Sequence, residues 1–506
     1  MKKTFLLISP LLFFCVFLKA QSIIYSEPDR DDYKNMNYEV MGKLEGKVFI
    51  YKGIRDQHQL CIYDAEMKLV NKVKLDFINN NLINIEFIAY QDKFLVFYNY
   101  QNKNVIYSMA ARIGANGKIL GQPLVVDTTN YSSSVNNNIY TLAYSEDKSK
   151  IVVYKIRNKE ENQHTLITLL FDKELSLLHR SSIIVPMPDK KDFLNRLVVD
   201  NDGDIALLRE AGSNSNDNIN KLALIIKPGN ADSLQIMDIK LNNINLDDVK
   251  IKPDNINKRF LILSFYSKQK RGNVDGLFCF LWDKLNNKVI LNNQITVPDD
   301  LRNEARSDGN LKSALNDFFL KNIIIKNDGG FVIATESVYM STRGNNYYNR
   351  WDYLGYNSFW GVPGYYYGSG LMGGYYPWSN FNYYNTTTRY FADNIMLLSF
   401  DDKGKMDWSN VIHKSQYDDN ADNFISYGII NTGEEIHFLY NVLEKRDWVI
   451  TDQAVAPGGQ LTRKPTFKNL DKGYDFMPRL AKQTGARQII VPCMYRNLTC
   501  FAKIDF

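Results

Sequence analysis

One short apolar segment recurs along this chain, and its recurrence limits what the chain can fold into. Each copy is rich in β-branched and aromatic residues, as strands are. The eight copies are KVFIYKG from Lys47, KFLVFYNY from Lys93, KIVVYKIR from Lys150, DIALLRE from Asp204, RFLILSFYS from Arg259, GFVIATESVYM from Gly330, IHFLYNVLE from Ile436 and RQIIVPCMYR from Arg487. Eight copies of one strand predict a fold that is built by repetition.

Further strands are predicted on both sides of most copies. An upstream strand ends in a turn rich in Gly, Asp or Asn, as in LVVDNDGD before Ile205. A downstream strand ends in an apolar or aromatic residue followed by Asp, at Asp64, Asp172, Asp283, Asp401 and Asp505. An Asp at that point can accept a hydrogen bond from the backbone two residues on and so begin a tight turn. A fourth strand follows, such as VNKVKLDF from Val70.

The repeated unit is therefore four antiparallel strands, and uninterrupted copies start roughly 46 to 57 residues apart. This period and strand count favour the blades of a β-propeller over a sandwich. We predict an all-β fold with eight blades, and seven is the alternative. The orphan strand SIIYSE, Ser22 to Glu27, would complete the last blade and close the ring. The stretch from Leu301 to Leu320 is predicted as a helical connector between blades five and six.

The N-terminus predicts export. Met1 to Ala20 contains Lys2 and Lys3, an apolar run and a small residue before Gln21, which is the pattern of a signal peptide. Cys15 offers the alternative of a lipid-modified N-terminus, although Leu12 to Phe14 lack the small residue that this processing favours. We predict a signal peptide over residues 1–20, one propeller domain over residues 21–506, and a periplasmic or cell-surface location.

The charge balance gives no indication of a nucleic-acid or anionic-membrane partner. The formal charge of +5 falls to +2 when Lys2, Lys3 and Lys19 are removed, and the remaining charges form no blocks. After the signal peptide, no segment is apolar over the roughly 20 residues that a spanning helix needs. We therefore predict no transmembrane segment in the mature chain.

One face of the predicted disc is expected to carry the function. Alternating antiparallel strands place the first-to-second and third-to-fourth turns on one face, the first face. The second-to-third loops and the links between blades lie on the opposite, second face. The short Gly/Asp turns belong to the first face, and the longer, variable loops belong to the second. Loops on a rigid scaffold carry most recognition, which favours the second face.

The longest of these loops, residues 343–390 in blade six, has an unusual composition. It holds twelve of the 32 tyrosines, three of the six tryptophans and eight of the 29 glycines. Tyrosine offers contact area and a hydroxyl at low entropic cost, while Gly, Ser and Asn let a backbone adapt. We predict a binding surface formed by Trp351, Trp360, Tyr365, Tyr366, Tyr367, Tyr375, Tyr376 and Trp378. The alternatives are a plug in the central channel and a low-complexity tract that self-associates.

No catalytic or cofactor motif stands out in the mature chain. It has no GxSxG, HExxH, phosphate-binding glycine loop or CxxC motif, and its five histidines are scattered. The segment Asp200 to Asp204 lacks the ligand spacing of a calcium loop and is predicted to be a hairpin turn. We predict no catalytic residues, no metal site and no cofactor. Acids gathered from different blades at the channel mouth would leave no trace in the spacing, so a carbohydrate-active enzyme remains the alternative.

Two cysteines near the C-terminus are candidates for a disulfide. A hairpin turn at Arg496 and Asn497 would place Cys493 and Cys500 opposite each other. Cys61 and Cys279 occupy similar positions in their own third strands, which favours the alternative that all of these are small apolar core residues.

The chain resembles a group of uncharacterised secreted bacterial envelope proteins with β-propeller-type repeats. The resemblance rests on FADNIMLLSFDDKGKMDWSNVIHKSQ from Phe391, on HFLYN at His437 to Asn441, and on the Tyr/Gly-rich insertion before them. It implies an exported propeller and brings no assigned activity. The function expected from the sequence is a non-enzymatic binding or scaffold module that holds a protein or glycan partner in the cell envelope.

Overall fold

A computed structural model of the protein describes most of the chain after residue 20. The described residues are 21–29, 36–54, 57–130, 139–160, 162–189, 191–194, 197–212, 218–306, 311–342, 346–348, 350, 388–419, 422–444, 447–464 and 473–506. The predicted signal peptide lies outside the described residues, as does most of the insertion. Within them, the chain forms eight antiparallel sheets arranged as the blades of a β-propeller, which confirms the predicted fold and blade number.

The first four blades follow one another without interruption. Blade one consists of Met36–Leu44, Lys47–Ile54, Gln57–Tyr63 and Leu69–Lys74; blade two of Leu82–Ala89, Phe94–Asn102, Val105–Ile113 and Leu124–Asn130; blade three of Thr141–Tyr144, Lys150–Glu160, Gln163–Asp172 and Leu177–Pro186; blade four of Phe193–Leu194 with Val198–Val199, Ile205–Ala211, Lys221–Lys227 and Gln235–Ile239.

The remaining blades include the ring closure. Blade five consists of Asn245–Leu246 with Lys250–Asp254, Arg259–Ser267, Gly276–Asp283 and Lys288–Thr296; blade six of Phe318–Ile325, Phe331–Thr342, Thr388–Phe400 and Met406–Ile412, with Asn346–Tyr348 and Tyr417–Asp419 added; blade seven of Tyr427–Asn431, Ile436–Glu444, Asp447–Val455 and Leu461–Arg463; blade eight of Tyr474–Phe476 with Lys482–Gly485, Gln488–Tyr495, Leu498–Asp505 and Ser22–Tyr25. First strands of most neighbouring blades contact one another, so they surround the axis of the disc.

The ring is closed by the N-terminal strand, as predicted. Ser22–Tyr25 is the fourth strand of blade eight and pairs antiparallel with Leu498–Asp505. The backbone N–H of Ser26 donates to Phe501 O at 2.9 Å, and the N–H of Phe501 donates to Ser26 Oγ at 3.0 Å. This pairing removes a sheet edge that would otherwise be open to other strands.

The hydrophobic cores lie between blades rather than within them. One cluster contains Leu263 of blade five and Ile333 of blade six. Another contains Leu208 of blade four and Ile262 of blade five. Each sheet buries both faces against its neighbours, which explains why the inner strands are near-continuous apolar runs in the sequence.

The first face is formed by short turns, each stabilised by hydrogen bonds between its own residues. Backbone N–H groups two and four residues on donate to one carboxylate oxygen of Asp64, Asp172 and Asp401 at 2.8–3.0 Å. The residue three positions after each Asp has a positive φ, which is 73° at Gly404. This geometry is a type I turn followed by a left-handed residue, a common three-residue hairpin connection. The predicted role of Asp at these three positions is confirmed.

The connector between blades five and six is less helical than predicted. A helix spans Asp299–Ala305, a 3₁₀ turn spans Leu311–Ser313, and Phe318 already begins the first strand of blade six. The prediction of a helix over Leu301 to Leu320 was therefore wrong over its last part. Phe318 and the residues after it pair with the second strand of blade six. This pairing depends on residues distant from the local pattern, so the helical period alone does not predict it.

Candidate functional site

The second face carries the second-to-third loops and the links between blades, opposite the Asp turns. The insertion leaves blade six after the second strand and returns at Thr388. All eight predicted binding residues lie outside the described residues: Trp351, Trp360, Tyr365, Tyr366, Tyr367, Tyr375, Tyr376 and Trp378. What the structure describes is the part of blade six from which the insertion projects.

Blade six continues beyond the sheet of an ordinary blade. Its second and third strands run for 12 and 13 residues and remain paired from Val338↔Ala392 to Thr342↔Thr388. The short strands Asn346–Tyr348 and Tyr417–Asp419 pair with the two sides of this extension. We name residues 338–342, 346–348, 388–392 and 417–419 the blade-six platform.

One side of the platform presents a row of aromatic rings. Tyr339, Phe391 and Tyr417 are opposite one another in the ladder, and cross-strand partners share a face of the sheet. The rings of Tyr339 and Phe391 stack with centroids 4.5 Å apart, and the centroids of Phe391 and Tyr417 are 6.4 Å apart. Tyr417 is 46% exposed. The row is thus held in a fixed spacing by the ladder and is open to solvent at one end.

A charged pair lies beside this aromatic row. Arg389 donates from Nε to Asp419 Oδ1 at 2.7 Å and from a terminal nitrogen to Asp419 Oδ2 at 3.0 Å. The Arg389 guanidinium also lies 4.4 Å from the centre of the Tyr417 ring. Both charged side chains are 44% exposed, so solvent screens the pair. Tyrosine and arginine in contact are the residue types that dominate binding energy at protein interfaces.

The other side of the platform is anchored in the protein. Val338 and Ala392 are buried together with Phe319 of the first strand and with Ile425 of the link to blade seven, and Tyr390 packs against them. Because one side is buried and the other is open, the register of the platform is fixed by hydrophobic burial.

A buried ion pair lies beneath the platform. Lys414 Nζ is 2.9 Å from Glu336 Oε1, and both side chains are almost fully buried. Lys414 also donates to Ala392 O at 2.7 Å and to Gln416 Oε1 at 2.8 Å, while Ser426 Oγ donates to Glu336 Oε2 at 2.6 Å. Burial lowers the pKa of the Lys414 ammonium, and the Glu336 carboxylate opposes that shift. These contacts tie blades six and seven together under the exposed rings.

Two further carboxyl groups lie close to the platform. Asp393 is buried and accepts a hydrogen bond from the Tyr339 hydroxyl at 2.9 Å. Asp418 stands opposite Tyr390 in the ladder, and its Oδ2 is buried without a hydrogen-bond partner. Burial raises the pKa of Asp418 to about 7. A carboxyl that exchanges its proton near neutral pH is a group that catalytic sites use, although buried structural carboxyls show the same shift.

Arg350 fixes the start of the insertion to blades five and six. Its Nε donates to Asp247 Oδ2 at 2.6 Å, and a terminal nitrogen donates to Asn316 O at 3.1 Å. The guanidinium lies 4.4 Å from the centre of the Phe319 ring. Asp247 borders the first strand of blade five and Phe319 lies in the first strand of blade six, so Arg350 lies near the axis of the disc.

Aromatic pairs also occur at the second-face ends of blades two and eight. In blade two, the rings of Tyr100 and Tyr107 stack across the hairpin at 5.1 Å. In blade eight, Tyr474 lies 4.2 Å from Tyr25 and 4.7 Å from Tyr495. The aromatic character predicted for the insertion therefore extends to described residues of the same face.

Histidines and acidic residues are spread over several blades. His58 contacts Tyr51, His179 contacts Asp232, and the buried His437 contacts Asp452 at 2.9 Å. Within the ranges that the structure describes, no three His, Cys, Asp or Glu residues are grouped to hold a metal ion. Among the helices of those same ranges, none has the length and apolarity required to span a bilayer.

The segment Asp200 to Asp204 is a hairpin turn, as predicted. Asp200 Oδ1 accepts from the N–H groups of Asp202 and Asp204 at 3.0 and 2.9 Å. Lys284 Nζ lies 2.6–2.8 Å from the carboxylates of Asp200, Asp202 and Asp204. Three carboxylates thus share the Lys284 ammonium, and Lys258 pairs with Asp202 as a second cation at 2.7 Å.

The cysteine pair has the predicted alignment. Arg496 and Asn497 both have positive φ and form the hairpin turn, and Cys493 stands opposite Cys500. Their sulfur atoms are 2.9 Å apart as free thiols, and both residues are fully buried.

Sequence reasoning did not single out the residues of the platform. Three of these residues lie at the borders of the insertion: Tyr339, Arg389 and Phe391. The other two, Tyr417 and Asp419, come after the fourth strand of blade six. A signal was present, because Tyr339 and Ser341, Arg389 and Phe391, and Tyr417 and Asp419 each follow the two-residue period of a strand. Segments of three to five residues are too short for that period to stand out.

Comparison with known proteins supplies no family. No family model matches the chain, and no curated protein matches it. Similar solved structures include prolyl oligopeptidase B from Galerina marginata, with 8% identity, a TM-score of 0.42 and coverage of 92% of this chain and 56% of that one. A polysaccharide lyase that acts on ulvan has 10% identity, a TM-score of 0.38 and coverage of 82% and 90%.

A quinoprotein alcohol dehydrogenase-like protein from Bacteroides thetaiotaomicron has 11% identity, a TM-score of 0.32 and coverage of 77% and 69%. The chain spans little more than half the length of the prolyl peptidases. At these identities and TM-scores, the similarities carry no information about what this chain binds or catalyses.

Proposed function

We propose that this protein is a non-enzymatic β-propeller of the cell envelope that binds a protein or glycan partner with its second face. The blade-six platform and the insertion that it carries form the contact surface. The observation that carries the proposal is the aromatic row of Tyr339, Phe391 and Tyr417, with Arg389 stacked at its exposed end. Such a row on a rigid sheet offers contact area with little entropy to lose on binding.

The burial pattern supports this proposal. The platform is anchored on one side by Val338 and Ala392 and leaves Tyr417 and Arg389 exposed on the other. A binding surface needs its contact residues held in place before the partner arrives, and the buried side of the platform holds them in this way.

The test is capture of partners from solubilised envelope by the immobilised mature protein. The variant is the pair Tyr417→Ser and Arg389→Ser, and the control is Leu177→Ser, which removes a side chain that is 51% exposed on the first face. The captured protein or glycan should be lost with the variant and kept with the control, at unchanged melting temperature. Equal capture by all three proteins would refute a contact role for the platform.

A second variant tests the insertion itself. Residues 351–387 are replaced by a Gly/Ser linker, which leaves Arg350 and the platform strands Asn346–Tyr348 and Thr388–Phe400 in place. We expect loss of the same partner that the platform variant loses. Capture that survives this deletion but not the platform substitutions would place the contact on the platform alone.

One observation favours a second candidate function, a carbohydrate-active enzyme. Asp418 keeps its proton near neutral pH because it is buried, and a protonated carboxyl is what a glycosidase uses as its general acid. The same burial limits its contact with a substrate, and for that reason binding is the first proposal. Cleavage of an envelope polysaccharide by the wild type, lost in Asp418→Asn, would reverse this order.

A further inference from the structure

The last hairpin of the ring brings two thiols into contact. Cys493 lies in the second strand of blade eight and Cys500 in the third, and the two residues are directly paired in the ladder. Their sulfurs are 2.9 Å apart, and Cys500 Sγ also lies 3.4 Å from Cys493 O. Directly paired residues of antiparallel strands have Cα atoms about 4.5–5.5 Å apart, which is within the range that a disulfide spans.

The other two described cysteines show that this pairing is not a general feature of the blades. Cys61 and Cys279 occupy the third strands of blades one and five and are buried, as Cys500 is. Across the ladder from them are Ile50 and Leu263. In these two blades the residue across the ladder from the buried cysteine is therefore aliphatic, and blade eight alone among the three has a second cysteine there.

The hairpin that carries the two thiols is also the one that closes the ring. The strand Leu498–Asp505 pairs with Gln488–Tyr495 on one side and with the N-terminal strand on the other. The core cluster around the sulfurs includes Ile430 and Ile450 of blade seven. A covalent bond at this position would join the two strands on which the closing strand depends.

We propose that Cys493 and Cys500 form a disulfide bond that staples the closing blade of the mature protein. Each thiol gives up its proton, and together the two sulfurs give up two electrons to a disulfide donor. One thiolate attacks the donor and forms a mixed disulfide, and the second displaces the donor's remaining thiol, so that the donor leaves as two thiols. The proposal includes the oxidising compartment that the predicted signal peptide implies.

The surroundings of the thiols determine when the bond forms. Both sulfurs are shielded once blade seven and the N-terminal strand are in place. Burial raises the pKa of the Cys493 thiol, so little attacking thiolate exists in the closed ring. Oxidation therefore takes place on the open hairpin, before the ring closes, and the finished bond is protected from reductants.

Peptide mapping tests the proposal directly. The exported protein is denatured with iodoacetamide present, digested with trypsin without reduction, and measured by mass spectrometry. Cleavage after Arg487, Arg496 and Lys503 separates the two cysteines, so the bond should appear as one species that joins residues 488–496 to residues 497–503. Reduction should split it into the two peptides. Recovery of both peptides singly and fully carbamidomethylated, without reduction, would overturn the proposal.

A matched pair of variants provides a second readout. Cys500→Ala and Cys279→Ala each remove one fully buried sulfur from a third strand. If the bond exists, Cys500→Ala should lower the melting temperature by more than Cys279→Ala does. A reductant added during refolding should lower the melting temperature of the wild type and of Cys279→Ala, and should leave that of Cys500→Ala unchanged. Equal losses in the two variants, with no effect of reductant, would count against the bond.

Discussion

The two ends of blade six differ in what stabilises them and in what they expose, although the same strands connect them. At the first face, Asp401 accepts two backbone hydrogen bonds within five residues and the turn closes on itself. At the second face, the strands continue, recruit two extra strands and present Tyr417 and Arg389 to solvent. The comparison shows that the turns define the blade locally, while the opposite end is free to vary because the register is already set.

The largest effect should come from the buried support of the second-face end. Lys414→Met removes the nearer of two ammonium groups that face the buried Glu336 carboxylate and leaves Lys321 at 3.9 Å, so the loss should reach at most the ~3–5 kcal/mol typical of a buried charge with no partner. We expect chemical denaturation to show this loss in the free energy of unfolding. The double variant Lys414→Met with Glu336→Leu should recover much of it. A single variant as stable as the wild type would mean that the platform does not depend on this pair.

A pH series should separate the buried side of the platform from its exposed side. Burial raises the pKa of Asp418 from 3.8 to about 7, so between these values the folded chain holds a proton that the unfolded chain has released. Stability therefore falls as pH rises through this window and is lowest above it. Asp418→Asn should be more stable than the wild type above pH 7, by about 1–2 kcal/mol.

The measurement for Asp418 is the difference in melting temperature between variant and wild type from pH 4 to pH 8. The difference should be small at pH 4, grow towards pH 7 and then level off. A constant difference across the series would mean that the carboxyl titrates normally.

The first-face end can be weakened one turn at a time. Asp172→Ala removes the oxygen that accepts from the N–H groups of Glu174 and Ser176, each at 2.8 Å, and should cost about 1 kcal/mol. Asp172→Asn keeps an acceptor oxygen and serves as the control, with little change expected in thermal unfolding. Partner binding should be unaffected in both variants, because the turn is on the opposite face.

The smallest effect on stability should come from the exposed charged pair. Arg389→Ala removes a solvent-screened contact with Asp419, so the melting temperature should not change measurably. Partner capture should nevertheless weaken. A clear drop in melting temperature would show that Arg389 supports the fold, and the contrast between the two ends of the blade would then be less sharp.

Much of the fold could be read from the sequence because it is repeated. All eight recurrent segments are second strands, and the orphan strand from Ser22 closes the ring. The Asp turns were predictable because an Asp carboxylate bonds to nearby backbone whatever surrounds it. Local chemistry and repetition are enough for these features.

The candidate site was predicted less well than the fold. The helix prediction failed near Phe318, where pairing with the second strand overrides local preference. Tyr339 and Tyr417 are 78 residues apart in the sequence, and both lie beside Phe391 only because of the strand register of blade six. The ion pair of Lys414 with Glu336 likewise depends on tertiary placement, which spacing along the chain does not reveal.

Ring closure by the first strand imposes an order of events on biogenesis. Ser26 and Phe501 are 475 residues apart in the chain, yet their backbones are hydrogen-bonded. This contact cannot form until the ribosome has synthesised the chain as far as Phe501. Until then the early strand has no partner, and an unpaired strand is where chains aggregate or recruit chaperones. Assembly of the eighth blade should therefore be the slow, final step of folding, and the stage most sensitive to chaperone supply.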